Sequence, residues 1–227
     1  MKTTTPDPSS MVRQYDLRRR FQWLLPPAPV WHNPAETQIN APLGRWNLYI
    51  GSAGAHAPGY VNLDLFPLPN VDVAANAEAL PFANNQFQRV ECDAVLEHAE
   101  FPEKIMREIE RVLAPGGFAH IVVPFCHPFH AYPTDFRRYT PDGLLQLKGN
   151  LEVVAQGWRT GPTSTLLVTL LEYAKLWMPN KALRGIAHIT LGWLLFPLRY
   201  LDIFLLKKTT AHILGNHHYL WLRKPSC

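Results

Sequence analysis

The chain has 227 residues, a net charge of +4, 47% hydrophobic and 18% charged residues, 21 prolines and 13 glycines. This composition excludes a disordered or collagen-like protein, and the length is sufficient for one domain with a large core plus appendages. Three widely spaced cysteines without a Cys-x-x-Cys pattern exclude a disulfide framework and a zinc knuckle, so a reducing, cytoplasmic compartment is expected.

Residues 1–40 contain six prolines and no sustained hydrophobic period. The apolar run Phe21–Leu25 ends at Pro26 and is too short for the apolar core of a signal peptide, so export is not expected. We predict an arm or linker over residues 1–40, with room for a short helix around Met11–Leu25. The domain itself is predicted to cover residues 41–227.

The next part of the chain alternates strand and helix patterns. The segment Pro102–Leu113 has apolar residues at helical spacing and is followed by Pro115-Gly-Gly117, which stops a helix. Such alternation favours an α/β sheet with helices on its faces, in which ligands bind beyond the carboxyl ends of the strands. The predicted strands are Asn47–Ile50, Tyr60–Leu65, Phe87–Asp93 and Phe118–Pro124.

The first predicted strand ends in a glycine turn, Gly51-Ser-Ala-Gly54, which permits close approach of the backbone to a ligand. The turn is not a dinucleotide-binding fingerprint, because the next acid at a strand end, Asp64, lies only 13 residues beyond Gly51. Asp64 could bind two ribose hydroxyls. Alternatively, it satisfies a turn or caps a helix.

Five ordered motifs carry a more specific signal than this turn alone. They are Leu48–Gly54 (LYIGSAG), Val61–Asp64 (VNLD), Asn76–Phe82 (NAEALPF), Val95–His98 (VLEH) and Val112–Gly117 (VLAPGG). Together they resemble the class I S-adenosylmethionine-dependent methyltransferases. The resemblance implies a Rossmann-like methyltransferase sheet with helices on both faces and S-adenosylmethionine as cofactor.

The resemblance also implies a role for each matching residue in cofactor binding. Gly51, Ser52 and Gly54 would line the methionine and ribose part, and Asp64 would bind the ribose hydroxyls. The adenine ring would lie near Asn76, Ala77 and Glu78, and Asp93 would lie at the methionine end. Glu97 and His98 match a signature whose role in the family is often structural.

Three positions depart from the family pattern: Ala53 replaces a glycine, Asn76 an acid, and Gln88 the acid of Phe-Asp. An asparagine can still bond the adenine amino group through its side-chain oxygen. A second interpretation therefore stays open, namely a methyltransferase-like binding or scaffold protein without catalytic activity at a membrane surface.

A second predicted site follows the strand Phe118–Pro124. A hydroxyl acceptor needs a general base, and His127 and His130 are the predicted catalytic bases. His-x-x-His can also bind a metal, but no third ligand is evident in the sequence, so no metal site is predicted. The residues predicted to bind substrate are Tyr132, Asp135, Arg138 and Tyr139.

Other interpretations of this segment are structural. Asp135 and Arg138 are spaced to pair with each other, and Thr140 with Pro141 is typical of a helix start. The run Pro133–Pro141 resembles an element of methyltransferases encoded beside polysaccharide genes, which implies a glycan or lipid-linked glycan acceptor.

The last third of the chain is apolar and basic. Residues 181–227 carry seven lysines and arginines against one acid, Asp202, and the stretch Ile186–Leu206 is interrupted by Pro197 and Arg199, which disfavours a spanning helix. We expect residues 164–208 to contact the inner face of a membrane, or else to form a lid or a dimer face.

Two further strands frame this segment. Leu151–Gln156 and Gly215–Lys224 are predicted as strands, and the latter resembles the closing strand of a methyltransferase sheet, so residues 157–214 would be a helical insertion. The sequence predicts methylation of a small-molecule, glycan or lipid-linked acceptor at a hydroxyl, without nucleic acid as a partner.

Overall fold

The computed structural model describes residues 23–226, and their central feature is a seven-stranded sheet. The strand order is β3-β2-β1-β4-β5-β7-β6; β1 to β5 pair in parallel, whereas β7 is antiparallel to both its neighbours. The strands are β1 (Asn47–Ile50), β2 (Val61–Asp64), β3 (Val73–Ala74), β4 (Phe87–Asp93), β5 (Leu113–Pro124), β6 (Glu152–Thr160) and β7 (His217–Arg223).

Five α-helices and four 3-10 helices accompany the sheet within residues 23–226. The α-helices are α1 (Pro102–Val112), α2 (Pro141–Leu145), α3 (Pro162–Leu176), α4 (Lys181–Leu195) and α5 (Asp202–Leu205). The 3-10 helices are Pro34–Thr37, Leu96–His98, Phe196–Leu201 and Thr209–Leu214. The α/β order expected from the sequence is confirmed, as is the helix start at Thr140, whose hydroxyl accepts a hydrogen bond from the Gly143 N–H.

The strand β5 differs from its prediction because it begins at Leu113, immediately after α1. The Pro-Gly-Gly segment lies inside the strand, where the register with β4 shifts between Phe87 and Arg89. Gly116 has φ +76°, and a Cβ on Gly117 would lie 2.8 Å from the Ala114 carbonyl oxygen. Glycine is therefore needed here for an irregularity in the strand, whereas the helix already ends at Val112.

The two faces of the sheet are covered differently. Helix α1 buries Ile105, Ile109 and Val112 in the main core, which also contains Leu144 of α2. On the opposite face, a smaller core of Ala41, Val122, Tyr219 and Trp221 is covered by chain from the N-terminal side, with Ile39 packed against it.

The segment 31–41 is attached to the sheet, although the sequence predicts an arm or linker over residues 1–40. The Asn33 N–H donates to the Arg159 carbonyl (2.8 Å), and the Trp221 indole N–H donates to the Glu36 carbonyl (2.9 Å). The predicted helix around Met11–Leu25 lies outside the described residues except for 23–25, which form a turn.

The helical insertion leaves and rejoins the sheet at one edge. Thr160, the last residue of β6, and Pro124, the last of β5, both pair with His217, the first residue of β7. The insertion therefore spans residues 161–216, later than the predicted 157–214, because β6 continues to Thr160. It stands at the edge where the parallel strands have their carboxyl ends.

Inside the insertion, a buried carboxylate joins two helices. Asp202 at the start of α5 accepts hydrogen bonds from the backbone N–H groups of Thr163 and Ser164 and from the Ser164 hydroxyl, at 2.8, 2.9 and 2.6 Å. The interaction satisfies free donors in the first turn of α3. Among residues 23–226, none of the helices is both long and apolar enough to cross a membrane.

Candidate functional site

A cavity of about 480 Å³ opens at the carboxyl ends of β1, β2 and β4. This volume lies within the range of roughly 300–1,000 Å³ that ligand and cofactor pockets occupy. Six of the residues predicted to bind cofactor line the cavity: Gly51, Asp64, Asn76, Ala77, Glu78 and Asp93. Ser52 and Gly54, also predicted, lie in the adjoining turn and are not part of the lining.

The glycine turn is built by positive φ angles at Gly51 (+74°), Ala53 (+47°) and Gly54 (+75°). A Cβ on Gly51 would lie 2.2 Å from the Val95 side chain, so this position also requires the absence of a side chain. The turn hydrogen-bonds back to β2, since the Gly51 N–H donates to the Leu63 carbonyl at 2.9 Å.

Asp64 at the end of β2 holds the turn in place. One carboxylate oxygen accepts from the Ala53 N–H (2.8 Å) and the other from the Phe66 N–H (3.0 Å), and the residue is buried. The structural role considered from the sequence is thus present, and each oxygen retains a lone pair for a ligand hydroxyl in the cavity.

The segment Asn76–Glu78 forms a second wall. The side-chain oxygen of Asn76 accepts from the Glu78 N–H at 2.9 Å, which fixes the turn. The Glu78 carboxylate is 3.6 Å from the Lys104 ammonium and accepts from the Phe101 N–H. These side chains are therefore positioned by local contacts, while the segment borders the cavity.

Asp93 at the end of β4 has a cationic partner that the sequence does not reveal. Arg159 of β6 lies with its Nη1 2.6 Å from the Asp93 carboxylate and its Nε 3.5 Å from Glu36. Burial lowers the pKa of the guanidinium, but Asp93 and Glu36 outweigh burial and raise it. The buried charge at this wall is thus compensated.

The loop between β5 and α2 supplies the remaining wall through Tyr132, Thr134 and Phe136. The Tyr132 ring meets Phe66 edge-on, with ring centroids 6.4 Å apart. Tyr139, another residue predicted to bind substrate, is buried in the main core instead, where its hydroxyl donates to the Leu96 carbonyl. This position does not support a role for Tyr139 in binding substrate.

Asp135 and Arg138 form the ion pair that their spacing allows, with two contacts of 2.5 and 2.7 Å. Arg138 also donates to the His127 and Pro128 carbonyls, so the pair organises the loop. Both residues border a second, more open cavity of about 320 Å³, next to the first. Phe136 belongs to the lining of both cavities.

The predicted bases lie in a group of histidines rather than in the first cavity itself. His127 and His130 have ring centroids 4.8 Å apart, and their outer neighbours are His217 (4.9 Å from His127) and His98 (5.0 Å from His130). Burial lowers the pKa of His127, whereas the nearby Glu97 carboxylate raises that of His130. His127 borders the second cavity.

His98 is the histidine that lines the cofactor cavity, and the sequence identified it only as part of a motif. Its Nδ1 contacts the Thr134 carbonyl, while the Thr134 hydroxyl donates to the His98 carbonyl at 3.0 Å. These contacts join the 3-10 helix Leu96–His98 to the loop. The Leu-Glu-His motif was the signal in the sequence that pointed to His98. Nothing in the sequence indicated that His98 lies next to Thr134.

Residues 60–121 match the family described as Methyltransferase domain. A demethylmenaquinone methyltransferase of Renibacterium salmoninarum is 38% identical over 73 residues, 31% of this chain and 30% of that protein. The chain spans less than half the length of the curated relatives that it matches.

Solved structures share the fold over nearly the whole chain. The [4+2]-cyclase SpnF has a TM-score of 0.59 at 15% identity, covering 99% of this chain and 98% of that one. A 1,6-didemethyltoxoflavin-N1-methyltransferase of Burkholderia thailandensis, crystallised with S-adenosylhomocysteine, has a TM-score of 0.51 at 14% identity, covering 99% and 93%. At such low identity the likeness shows the fold alone.

Proposed function

We propose that this chain transfers a methyl group from S-adenosylmethionine to a small-molecule acceptor, because it contains a class I S-adenosylmethionine-dependent methyltransferase domain. The observation that carries this proposal is the glycine turn of β1, held by the Asp64 carboxylate, at the wall of the 480 Å³ cavity. The residues present fit the cofactor: Gly51 leaves room for close approach, and Asp64 offers oxygen lone pairs to ribose hydroxyls.

When bound, S-adenosylmethionine supplies a methyl group already activated on a sulfonium sulfur. The protein then has to position the acceptor and exclude water. Tyr132 and Phe136 of the loop supply an aromatic wall of the cavity. We assign the acceptor to this side of the cavity.

We propose a hydroxyl as the acceptor group. As its oxygen takes up the methyl group, the hydroxyl proton must pass to a base, and the neighbouring imidazoles of His127 and His130 are assigned this role. Their position on the loop that also supplies the cavity wall supports the assignment.

An acceptor with an apolar part, such as a lipid-linked glycan, is supported by the placement of the insertion. Its helices rise from the sheet edge that holds the cavity and expose large apolar side chains, including Leu176, Trp177 and Leu194, at 71–78% exposure. We propose that this unit lies on the inner face of a membrane and brings the cavity close to such an acceptor.

Cofactor binding is tested by isothermal titration of the full-length protein with S-adenosylmethionine and S-adenosylhomocysteine. We expect micromolar binding, weakened at least about tenfold by Asp64→Asn, since a charged hydrogen-bond acceptor contributes roughly 1.5–3 kcal/mol. The matched control is Asp142→Asn, the same change at an exposed position away from the cavity.

The alternative is a scaffold protein that has the fold but not the activity. The departures at Ala53 and Asn76 favour it, and SpnF, a cyclase with this fold, shows that the fold does not by itself determine the reaction. A folded wild-type protein that binds neither ligand would establish this alternative over the methyltransferase.

A further inference from the structure

Glu97 is the most deeply buried carboxylate at the edge of the cofactor cavity. The residue is 0% exposed, and neither carboxylate oxygen accepts a hydrogen bond from the described residues. A buried ionised carboxylate without hydrogen bonds is costly unless a cation compensates it. A cation bound beside Glu97 would remove this cost.

Two imidazoles face this carboxylate. The Nε2 atoms of His98 and His130 each lie 3.7 Å from the Glu97 Oε1 atom. The three potential ligand atoms all lie within 4.8 Å of one another. The sequence offered the His127-x-x-His130 pair for a metal, whereas the fold brings His130 together with Glu97 and His98 instead.

The other nitrogen of each ring contacts a backbone carbonyl. The Nδ1 atom of His98 contacts the Thr134 oxygen, and the Nδ1 atom of His130 lies 3.2 Å from the Pro128 oxygen. A carbonyl only accepts, so in the neutral ring each Nδ1 carries the proton and each Nε2 presents a lone pair. Imidazoles that bind metals are oriented in this way.

Arg138 does not alter this assignment of the protons. Its Nη2 lies 3.3 Å from the His130 Nδ1, but the same nitrogen donates to the Asp135 carboxylate at 2.7 Å and to the Pro128 carbonyl at 2.8 Å. The guanidinium is therefore already satisfied by oxygen acceptors.

We propose that Glu97, His98 and His130 bind one divalent transition-metal ion, zinc in the first place. Bonds of about 2.0–2.1 Å in tetrahedral geometry place ligand atoms roughly 3.3 Å apart. The two 3.7 Å separations need only a small closure, and the two histidine nitrogens, which lie within 4.8 Å of each other, need a side-chain adjustment as well. Two histidines and a carboxylate leave the fourth position open, as in catalytic zinc sites.

The position of the site suggests what the ion would bind. His98 lines the cofactor cavity, so the open position lies at the side assigned to the acceptor, where zinc would hold an acceptor oxygen. This use of the ion rests on the proposed function, whereas metal binding does not. His127 stays outside the ligand set and keeps the assignment as base. With the metal bound, His130 gives up that assignment, because its Nε2 lone pair is used by the ion.

The test uses the full-length protein, freed of metal by a chelator and titrated with Zn²⁺ against a chromophoric competitor. A parallel titration with Co²⁺ reports ligand geometry through its visible absorption. We expect one equivalent of metal in the wild type and at least a hundredfold weaker binding in His130→Asn. His127→Asn, a histidine change three residues away on the same loop, should bind like the wild type.

Three results would overturn the proposal: no stoichiometric binding by folded wild type, an equal loss in His127→Asn, or no effect of His98→Asn. The first would mean that no metal ion compensates the buried Glu97 carboxylate. His130 is about one-third exposed, so its replacement leaves the core unchanged, and circular dichroism checks this. Asp64→Asn should retain the metal, which separates failure of this site from failure of cofactor binding.

Discussion

Gln88, one of the three departures from the methyltransferase pattern, has a local structural role. Its side-chain oxygen accepts from the Trp46 N–H at 3.0 Å, and Gly44 packs against its aliphatic part. It does not line the cofactor cavity, so the lost acid does not count against cofactor binding. Ala53 and Asn76 do border the cavity, and both make hydrogen bonds that support its shape.

A buried charged group beneath Trp221 links the N-terminal segment to the sheet. The two ring nitrogens of His120 lie 2.6 Å from Glu91 and 3.0 Å from Glu36, and the ring stacks on Trp221 at 4.2 Å. Burial alone lowers the pKa of His120, but the two carboxylates outweigh burial and raise it above the ordinary value of 6.5.

A raised pKa in the folded state stabilises the protein below pH 6.5, and this contribution is lost as the pH rises through the raised value. Glu36→Gln weakens the interaction, so we expect it to lower the free energy of unfolding by about 2 kcal/mol at pH 6 and by less at pH 9. Urea denaturation at both pH values measures the difference.

The partner carboxylate gives the opposite dependence. Burial alone raises the pKa of Glu91, but His120 and Arg89 outweigh burial and lower it below its ordinary value of 4.5. Its contribution is present above pH 4.5 and is lost as the pH falls. The effect of Glu36→Gln should therefore be measured above pH 4.5, where the contribution of Glu91 is constant. An equal loss of unfolding free energy at pH 6 and pH 9 would contradict the role of His120.

At the scale of secondary-structure elements, the insertion combines exposed apolar and basic side chains. Leu176 and Leu194 of α3 and α4 are exposed, as is Trp177 directly after α3. Lys207 and Lys208 are exposed after α5. The chain is basic here, since only Asp202 is acidic after residue 180 and it is buried. An anionic lipid surface complements both properties.

We predict that the protein sediments with vesicles containing anionic lipid and that Lys207→Gln with Lys208→Gln weakens this binding about 25-fold. A basic residue near such a surface contributes roughly 1 kcal/mol, or about fivefold. Leu176→Ser with Trp177→Ser should weaken binding to anionic and neutral vesicles alike, because it removes apolar burial.

The control for the apolar variant is Val153→Ser with Val154→Ser, which changes two exposed apolar residues of β6 outside the insertion. These should leave vesicle binding unchanged. A wild-type protein that stays in solution with every vesicle composition would remove the membrane proposal and favour a lid or a dimer face.

At the scale of the whole molecule, the N-terminal segment connects the sheet and the insertion. Residues 32–41 pack against β5, β6 and β7. Pro26 packs closely against Gly192 of α4, since a Cβ on Gly192 would lie 2.4 Å from the Pro26 Cγ atom. The Trp31 N–H donates to the Ser164 hydroxyl at 3.2 Å. One stretch of chain thus contacts both parts of the protein.

We expect a chain that starts at residue 42 to lose cooperative unfolding, because Val122, Tyr219 and Trp221 would be uncovered and His120 would lose Glu36. A chain that starts at residue 31 keeps these contacts and should unfold cooperatively. Thermal denaturation followed by circular dichroism compares the two chains. If both unfold with the same cooperativity, residues 31–41 are a linker and not part of the folded domain.

Local patterns in the sequence determined much of the fold. The strands β1 and β4 have their predicted bounds, β2 is within one residue at each end, and α1 ends one residue early. Alternating and helical periods are local properties, so one sequence can reveal them. The glycine turn and Asp64 were predicted for the same reason, since the ordered motifs lie within about seventy residues and line one sheet edge.

Other boundaries needed pairing partners that only the fold supplies. The strand β6 continues to Thr160 because β7, some sixty residues later, provides its hydrogen bonds, and β3 is a two-residue strand paired only with β2. The sequence predicted an arm over residues 1–40. It could not reveal the attachment to the sheet, because the contacts of Glu36 with Trp221 and His120 join residues that are far apart in the chain.

The sequence by itself thus determined the strands β1, β2 and β4, the glycine turn and the apolar, basic character of the insertion, because each depends on neighbours in the chain. Only the tertiary structure decided that Arg159 compensates Asp93, that Tyr139 is in the core, and that His130 meets Glu97 and His98. Such contacts depend on how strands and loops are arranged in space, and no local spacing specifies them.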